Sequence, residues 1–306
     1  MKELWTEKYR PKTVDGYVFR DEAHRRQINA WIKEGSIPNL LLSGGPGIGK
    51  TTLAKILLNA LNVSDYDLLE VNASRETGID FIRDKIVPHI SMIPFGPFKA
   101  VLLDEADRLS PHAQDSLKGI IEEYSSHARF ILTCNSPNRV LAPLHSRCQQ
   151  MHFSSIDQTE FTARAATILV EEGIEFDLDT LDTYVKSVYP DLRKCINLLQ
   201  QNSYSNILVN PTGGDSGIAD YMVQMVELFK SGRIQDARKL LCKNAVPEEM
   251  DRIYRWLYDN LDLFGKNDET KDSAVIIIKQ GLVDHAICAD AEINLAATLI
   301  KLARLQ

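Results

Sequence analysis

Four short apolar runs, each closed by a polar or glycine-rich stretch, organise the first half of the chain: residues 40–42, 67–72, 100–103 and 129–134. Their length and apolar content predict short strands, with 40–42 and 100–103 as buried ones. Helical patterns lie between them. Residues 52–61 put Leu53, Ile56, Leu57, Ala60 and Leu61 on one helical face, the polar turn 73–78 introduces a helix over 79–89, and Ser110 and Pro111 offer an N-cap and a first-turn proline for a helix running to about Tyr124. Residues 90–99, with two prolines and a glycine among Met92, Phe95 and Phe98, read as a loop or a broken helix end. Buried strands alternating with helices predict an α/β fold: a parallel sheet covered on both faces, with ligands at the carboxyl ends of its strands.

From residue 156 the pattern is helical only, over 159–171, 178–187 and 192–200. The stretch 210–217, NPTGGDSG, has the composition of a linker. Beyond it, Met222, Val223, Met225, Val226 and Phe229 share a helical face, as do Ile234, Ala237, Leu240 and Leu241. A last helix over 289–305 is apolar around most of its circumference and is expected to be buried on several sides, against neighbouring subunits. Three parts are therefore expected, with bounds at 1–155, 156–210 and 211–306.

Composition narrows the class. A chain of 306 residues with 44% hydrophobic and 25% charged residues has material for several packed cores and is not of the disordered type. The charged N-terminal residues do not resemble a signal peptide, and no apolar run approaches the roughly 18 residues of a membrane helix. A cytoplasmic location without a membrane partner is expected, with a host cytoplasm or a nucleus left open. The formal net charge of -7 argues against a surface that coats nucleic acid, but not against local basic patches. Five cysteines without a C-x-x-C pair argue against a zinc module or a disulfide framework.

The chemistry begins at residues 44–51, GGPGIGKT, a full G-x-x-x-x-G-K-[ST] phosphate loop between a strand and a helix. Gly44, Gly45, Pro46, Gly47, Ile48 and Gly49 let backbone N–H groups curl around phosphate oxygens. Lys50 brings charge to the β and γ phosphates, Thr51 offers a hydroxyl to Mg²⁺, and Thr52 continues the helix. ATP or GTP is the implied ligand. Asp104 ends a strand as a Mg²⁺-holding carboxylate should, Glu105 can polarise a water for attack on the γ phosphate, and Asn135, closing the next strand, can hold the same water.

Taken together, TEKYRPKTVDGYV, GGPGIGKTT, LLEVNASRETGIDFIRDKI, VLLDEADRLSPHAQDSLKGIIE, RFILTCN, LHSRCQQMHF and DLRKCINLLQ resemble the small ATPase subunits of sliding-clamp loaders, the replication factor C type of AAA+ protein. The resemblance covers nearly the whole chain and implies an AAA+ P-loop NTPase sheet, a small helical lid and an all-α C-terminal collar. It implies that Glu7, Lys8, Tyr9, Arg10 and Val18 pack on adenine and that Arg193 senses the γ phosphate in cis. By the same likeness Arg147 is a finger reaching the ATP of the adjacent subunit, a role worth about 10³ to 10⁵ in rate.

It also implies contacts with primer-template DNA at Ser74, Gly78, Ile79, Arg83, Gln114 and Lys118, with phosphate held by helix N-termini and a few cations. The family often has two consecutive basic residues where this chain has Lys118 and Gly119. The segment 90–98, with Met92, Ile93, Phe95 and Phe98 exposed, either docks a clamp or folds onto its own domain.

The implied partners are other loader subunits, a sliding clamp and DNA, with ATP and Mg²⁺ as cofactors. The absence of a zinc-binding cysteine cluster points away from the bacterial type and towards the archaeal, eukaryotic or phage type. The collar helix with Tyr254, Trp256, Leu257 and Tyr258 resembles the phage type. Two alternatives stay open: another DNA-acting AAA+ ATPase of the branch-migration type, and a structural loader subunit that binds ATP without hydrolysing it. The first would usually carry a winged-helix module at its C-terminal end. The second tends to lose the lysine or the acidic pair, and Lys50, Asp104, Glu105 and Arg147 are all present.

Overall fold

The computed structural model describes residues 3–75, 77–153, 156–209, 221–244, 249–265 and 267–305. The linker expected over 210–217 and the bound at 155 lie outside them. The chain divides in space into two compact units, Met1–Ile168 with Pro190–Asn197, and Leu169–Tyr189 with Leu198–Gln306.

The first unit begins with α1 (Trp5–Lys8) and α2 (Glu22–Glu34). No helix is predicted above for α2, although its signals are present. His24, Ile28 and Trp31 recur at helical spacing and are buried, the Asp21 side chain accepts a hydrogen bond from the His24 N–H, and Gly35 closes the helix in the left-handed region at φ 68°. Then follow β1 (Leu40–Gly44), α3 (Lys50–Ala60) and β2 (Leu68–Asn72). The helix expected over 79–89 is continuous from 79 to 91, as α4 (Ile79–Phe81), a π turn over Ile82–Ile86, and α5 (Val87–Ser91). Next come β3 (Lys99–Asp104), α6 (Pro111–Glu123), β4 (Ala128–Cys134), α7 (Ala142–Arg147) and β5 (Gln149–Phe153). The Ser110 side chain caps α6 by accepting from the Ala113 N–H, with Pro111 at the first turn.

The five strands form one parallel sheet in the order β2-β3-β4-β1-β5. Alternate residues serve opposite faces, as the pleat requires. Leu40, Leu42, Ala100, Leu102 and Ile131 pack with Ile28, Leu53, Ile56 and Leu57 on one side. Leu41, Val101, Leu103, Phe130 and Leu132 pack with Phe81, Ile86, Ala113 and Leu117 on the other. Each Leu, Ile, Val or Phe among these contributes about 1.5–3 kcal/mol on burial, so the helices are held against the sheet by many independent contacts. The register aligns Ser43 with Cys134, Leu103 with Leu132 and Gly44 with Phe153, which brings the carboxyl ends of β1, β3, β4 and β5 to one edge.

The chain continues through α8 (Gln158–Glu171), α9 (Leu178–Val188), α10 (Leu192–Gln201) and a small hairpin of β6 (Ser203–Tyr204) and β7 (Ile207–Leu208). The division between units runs through α8 and α10, so a helix does not end where the packing changes hands. In the second unit, α11 (Tyr221–Lys230), α12 (Ile234–Asn244), α13 (Met250–Asp259), α14 (Asp268–His285) and α15 (Ala291–Ala303) surround a core that includes Phe229, Ile253, Trp256, Leu257, Phe264, Leu295 and Leu299. A buried polar network crosses it. Asn294 donates to Tyr254 Oη at 2.7 Å and to the Gly281 carbonyl at 2.8 Å. The Trp256 indole donates to the Lys186 carbonyl at 2.7 Å. No described helix is long and apolar enough to cross a membrane.

Candidate functional site

At the carboxyl edge of the sheet, two recesses adjoin in the first unit. One is lined by Thr6, Tyr9, Tyr17, Val18, Ile48 and Ile196 among others; the second by Lys50, Thr51, Asp104, Glu105, Thr133 and Asn135 among others. They share Gly47, Gly49, Thr52 and Arg193. An apolar chamber opening onto a polar one across a glycine-rich turn matches a nucleotide, with its flat base and its polyanionic tail.

The loop between β1 and α3 supplies the floor. Gly47 and Gly49 have φ of 71° and 89°, and a Cβ built on Gly49 would stand 3.0 Å from the Tyr17 ring. Lys50 reaches back along its own loop, and its ammonium donates to the carbonyls of Gly44 and Gly45 at 2.8 and 2.6 Å and to Asn135 Oδ1 at 2.9 Å. All three acceptors are neutral. Burial pushes the Lys50 pKa below its ordinary value, against an upward pull from Cys134, Asp104 and Asp107 and with a downward push from Arg193. Such a cation, without a counter-charge in contact among the described residues, is suited to an arriving phosphate.

The Thr51 hydroxyl donates to Asp104 Oδ1 at 2.8 Å. The Thr133 hydroxyl donates to the same oxygen and accepts from the Glu105 N–H at 3.2 Å. Glu105 itself is held at φ 57°, a region that a non-glycine residue seldom adopts, and its carboxylate pairs with Arg108 at 2.7 Å. Asp107 accepts from the backbone N–H of Asn135 at 3.4 Å and of Ser136 at 3.0 Å, fixing the turn after β4. Thr133 and Asp107 escape the sequence reasoning above. The signals for them were a lone hydroxyl in an apolar strand and the last acid of the run Asp104-Glu105-Ala106-Asp107. The Cys134 thiol is pushed up to about 11 by burial and then by the Asp107 charge, so it is an inert neighbour.

Thr51 and Asp104 offer paired hard oxygen donors on the phosphate side, the donor set that suits Mg²⁺, which takes one or two protein ligands and completes its shell with phosphate and water. Among the described residues no group of three or more His, Cys, Asp or Glu is placed to hold a metal.

The other expected positions divide. Tyr9, Arg10, Val18 and Arg193 line the recesses, and the Tyr9 carbonyl is held by Arg164 at 2.8 Å. Glu7 and Lys8 do not line them: Glu7 is exposed and pairs with Arg10 at 2.6 Å, and the Lys8 ammonium stands 5.0 Å from the Tyr9 ring centroid. Arg147 lines neither recess. Its guanidinium pairs with Glu122 and donates to the Pro143 carbonyl at 3.0 Å.

Ser74, Gly78, Ile79 and Arg83 are exposed around the start of α4, with the Ser74 hydroxyl donating to Asn72 Oδ1 at 2.6 Å. Lys118 pairs with Asp115 at 2.7 Å. Gln114 is a correction. It is 2% exposed, donates to the carbonyls of Leu109 and Arg139 and accepts from the Leu141 N–H, because it lies on the core face of α6 and ties that helix to the segment before α7. Its side chain has no group left for DNA.

In the 90–98 segment, Met92, Ile93 and Phe95 are exposed, whereas Phe98 is buried in the sheet core, a second correction. Asp67 shapes this segment by accepting from the N–H groups of Phe95 and Gly96 at 3.0 and 2.7 Å.

A model of the ATPase family associated with various cellular activities (AAA) matches residues 40–156. The chain is 33% identical to the replication factor C small subunit of Methanococcus vannielii, an alignment that covers 100% of both proteins. It is 34% identical to that of Sulfurisphaera tokodaii over 98% of this chain and 95% of the relative. For Archaeoglobus fulgidus the figures are 33%, 99% and 98%. Among solved structures, the RuvB Holliday junction branch migration motor of Thermotoga maritima superposes with a TM-score of 0.52 at 19% identity, covering 81% of this chain and 80% of that one. A RuvB mutant from the same organism gives 0.54 at 17%, covering 64% of this chain and 66% of the other. At that identity the likeness is one of fold.

Proposed function

The chain belongs to the replication factor C small-subunit family of AAA+ ATPases, and from that premise we propose that it uses ATP binding to grip and open a sliding clamp, and hydrolysis triggered by primer-template DNA to release the closed clamp. That it is a nucleotide-binding ATPase of the clamp-loader type follows from the family. The observation that carries the nucleotide part of this reading is the pair of adjoining recesses sharing Gly47, Gly49, Thr52 and Arg193.

Adenine enters the apolar recess against Tyr9, Val18 and Ile48, and the phosphates lie along the loop. Lys50 exchanges its neutral acceptors for the β and γ phosphates, and Arg193 meets the γ phosphate. Thr51 and Asp104 would hold Mg²⁺, which would offset phosphate charge. Glu105 takes a proton from the attacking water, which Asn135 helps to hold. Thr133 fixes the Asp104 carboxylate and the Glu105 backbone N–H from behind.

Arg147 completes the site of a neighbouring subunit, a role consistent with its distance in sequence and lining from its own recesses. Ser74, Gly78, Ile79, Arg83 and Lys118 contact DNA phosphates; their exposure and the two cations support this. Exposed Met92, Ile93 and Phe95 meet the clamp. Ile276, Leu282, Val283, Ile287, Ile293 and Ile300, exposed on and near α14 and α15, suit a collar that joins subunits. Nucleotide binding thus acts as a switch, and chemistry resets it.

The test is steady-state ATP hydrolysis by the chain assembled with its loader partner, with and without clamp and primed DNA, alongside Arg147→Ala. Strong stimulation by clamp plus primed DNA, and a loss of about 10³ or more with Arg147→Ala, is the expected result. Turnover indifferent to clamp and DNA would refute the clamp-loading reading.

A further inference from the structure

Gly47, at the centre of the phosphate loop, has a carboxylate against it. A Cβ built there would stand 1.7 Å from Asp191 Oδ1 and 2.4 Å from its Cγ, so the acid fills the space that any side chain at position 47 would need. Asp191 precedes α10, where its Oδ1 accepts from the Lys194 N–H at 2.9 Å. Two residues on, Arg193 lines both recesses. One helix start therefore presents an acid and a base to the same loop, the base on the side where phosphate is received and the acid behind Gly47.

The Asp191 charge is felt in the surrounding interior: the buried Cys195 thiol is pushed up first by desolvation and next by this carboxylate. A helix cap does not require that charge. Asparagine caps as well as aspartate, so the acid's position against the loop calls for another account.

We propose that Asp191 is an electrostatic brake on nucleotide binding: a fixed negative charge behind Gly47 that weakens the hold of the loop on polyphosphate and keeps the nucleotide exchangeable. The inference rests on the reading of the recesses as an ATP site and adds a residue that tunes its affinity. Asp191 touches no substrate in this role and acts through the loop. A unit charge several ångströms from a polyanion, partly screened, is worth about three- to thirtyfold in affinity. The triphosphate carries more charge than the diphosphate and feels the brake more.

The experiment is equilibrium binding of fluorescent ATP and ADP analogues to the full chain, at low and high salt, for the wild type, Asp191→Asn and Lys50→Ala. Asparagine keeps the cap, and an unchanged thermal midpoint verifies that the fold is kept. The expected result is that Asp191→Asn binds both nucleotides about three- to thirtyfold more tightly, ATP gaining more than ADP, with the gain shrinking as salt rises. Affinities equal to the wild type would reduce Asp191 to a cap, and weaker binding would show that its charge supports the loop; either overturns the proposal. Failure of the underlying site reading looks different: the wild type itself would then show no nucleotide binding that Lys50→Ala removes.

Discussion

Asp67 and Lys99 form an ion pair at 2.8 Å with side chains 0% and 1% exposed, and the same carboxylate anchors the segment that carries Met92, Ile93 and Phe95. Burial alone would raise the Asp67 pKa. Hydrogen bonds from Lys99, the Phe95 and Gly96 N–H groups and Ser64 outweigh it and hold the carboxyl at about 2, from an ordinary 3.8. At about 1.36 kcal/mol per unit this ionisation supplies roughly 2 to 3 kcal/mol of folding stability. Because the folded value is depressed, that stability is complete above about pH 5 and is lost as pH falls through 3.8 towards 2, about 1 kcal/mol of it by pH 3.

Asp67→Asn keeps one acceptor oxygen, turns an NH₂ donor towards the other backbone N–H, and strands the Lys99 ammonium, whose remaining hydrogen-bond partner is the Tyr66 carbonyl at 3.1 Å. An uncompensated buried charge costs about 3 to 5 kcal/mol, which sets the expected loss at pH 7. Adding Lys99→Met should return most of it. Urea denaturation from pH 7 to pH 3 reads both effects, and hydrogen exchange at 92–98 reads the loosened segment. Clamp binding should fall while nucleotide binding holds. A loss below about 1 kcal/mol at pH 7, or a gap from the wild type that does not narrow towards pH 3, would refute the reasoning.

Gln114→Ala should cost about 2 to 3 kcal/mol in denaturation, because it leaves the Leu141 N–H and two carbonyls without their partner. By loosening the segment before α7 it should also lower turnover in the assembly, with ATP binding unchanged. Tyr17→Phe should raise stability in urea denaturation by about 1 kcal/mol, since the Tyr17 hydroxyl is buried without a hydrogen-bond partner among the described residues and its burial pushes the phenol pKa up. A destabilised Tyr17→Phe would mean the hydroxyl is satisfied in solution.

The parts of the site that could be read in advance are those whose signal is local. The glycine and lysine spacing of residues 44–51 depends only on what a backbone needs to surround phosphate, and Asp104 stood out because an acid directly follows four apolar residues. β5 was not legible: Gln149-Gln150-Met151-His152-Phe153 buries only Met151 and Phe153, and as an edge strand it needs no continuous apolar run. Gln114 misled for the opposite reason. A polar residue at an exposed-looking position proved to be spent on three backbone groups, two of them 25 and 27 positions away. Phe98 could not be assigned because the same aromatic serves equally for a surface anchor or a core.

By itself the sequence determined the kinds of element, the phosphate loop, the acidic strand end and the α/β class, since strand burial, helix period and loop chemistry are written in residues close together in the chain. The tertiary structure alone decided which charges meet. The strand order β2-β3-β4-β1-β5 brings Lys50 to Asn135 and Thr133 to Asp104, and the packing of the start of α10 brings Asp191 to Gly47, pairs up to 144 positions apart. Burial and hydrogen-bond partners depend on what arrives from those distant segments, and no local pattern carries that information.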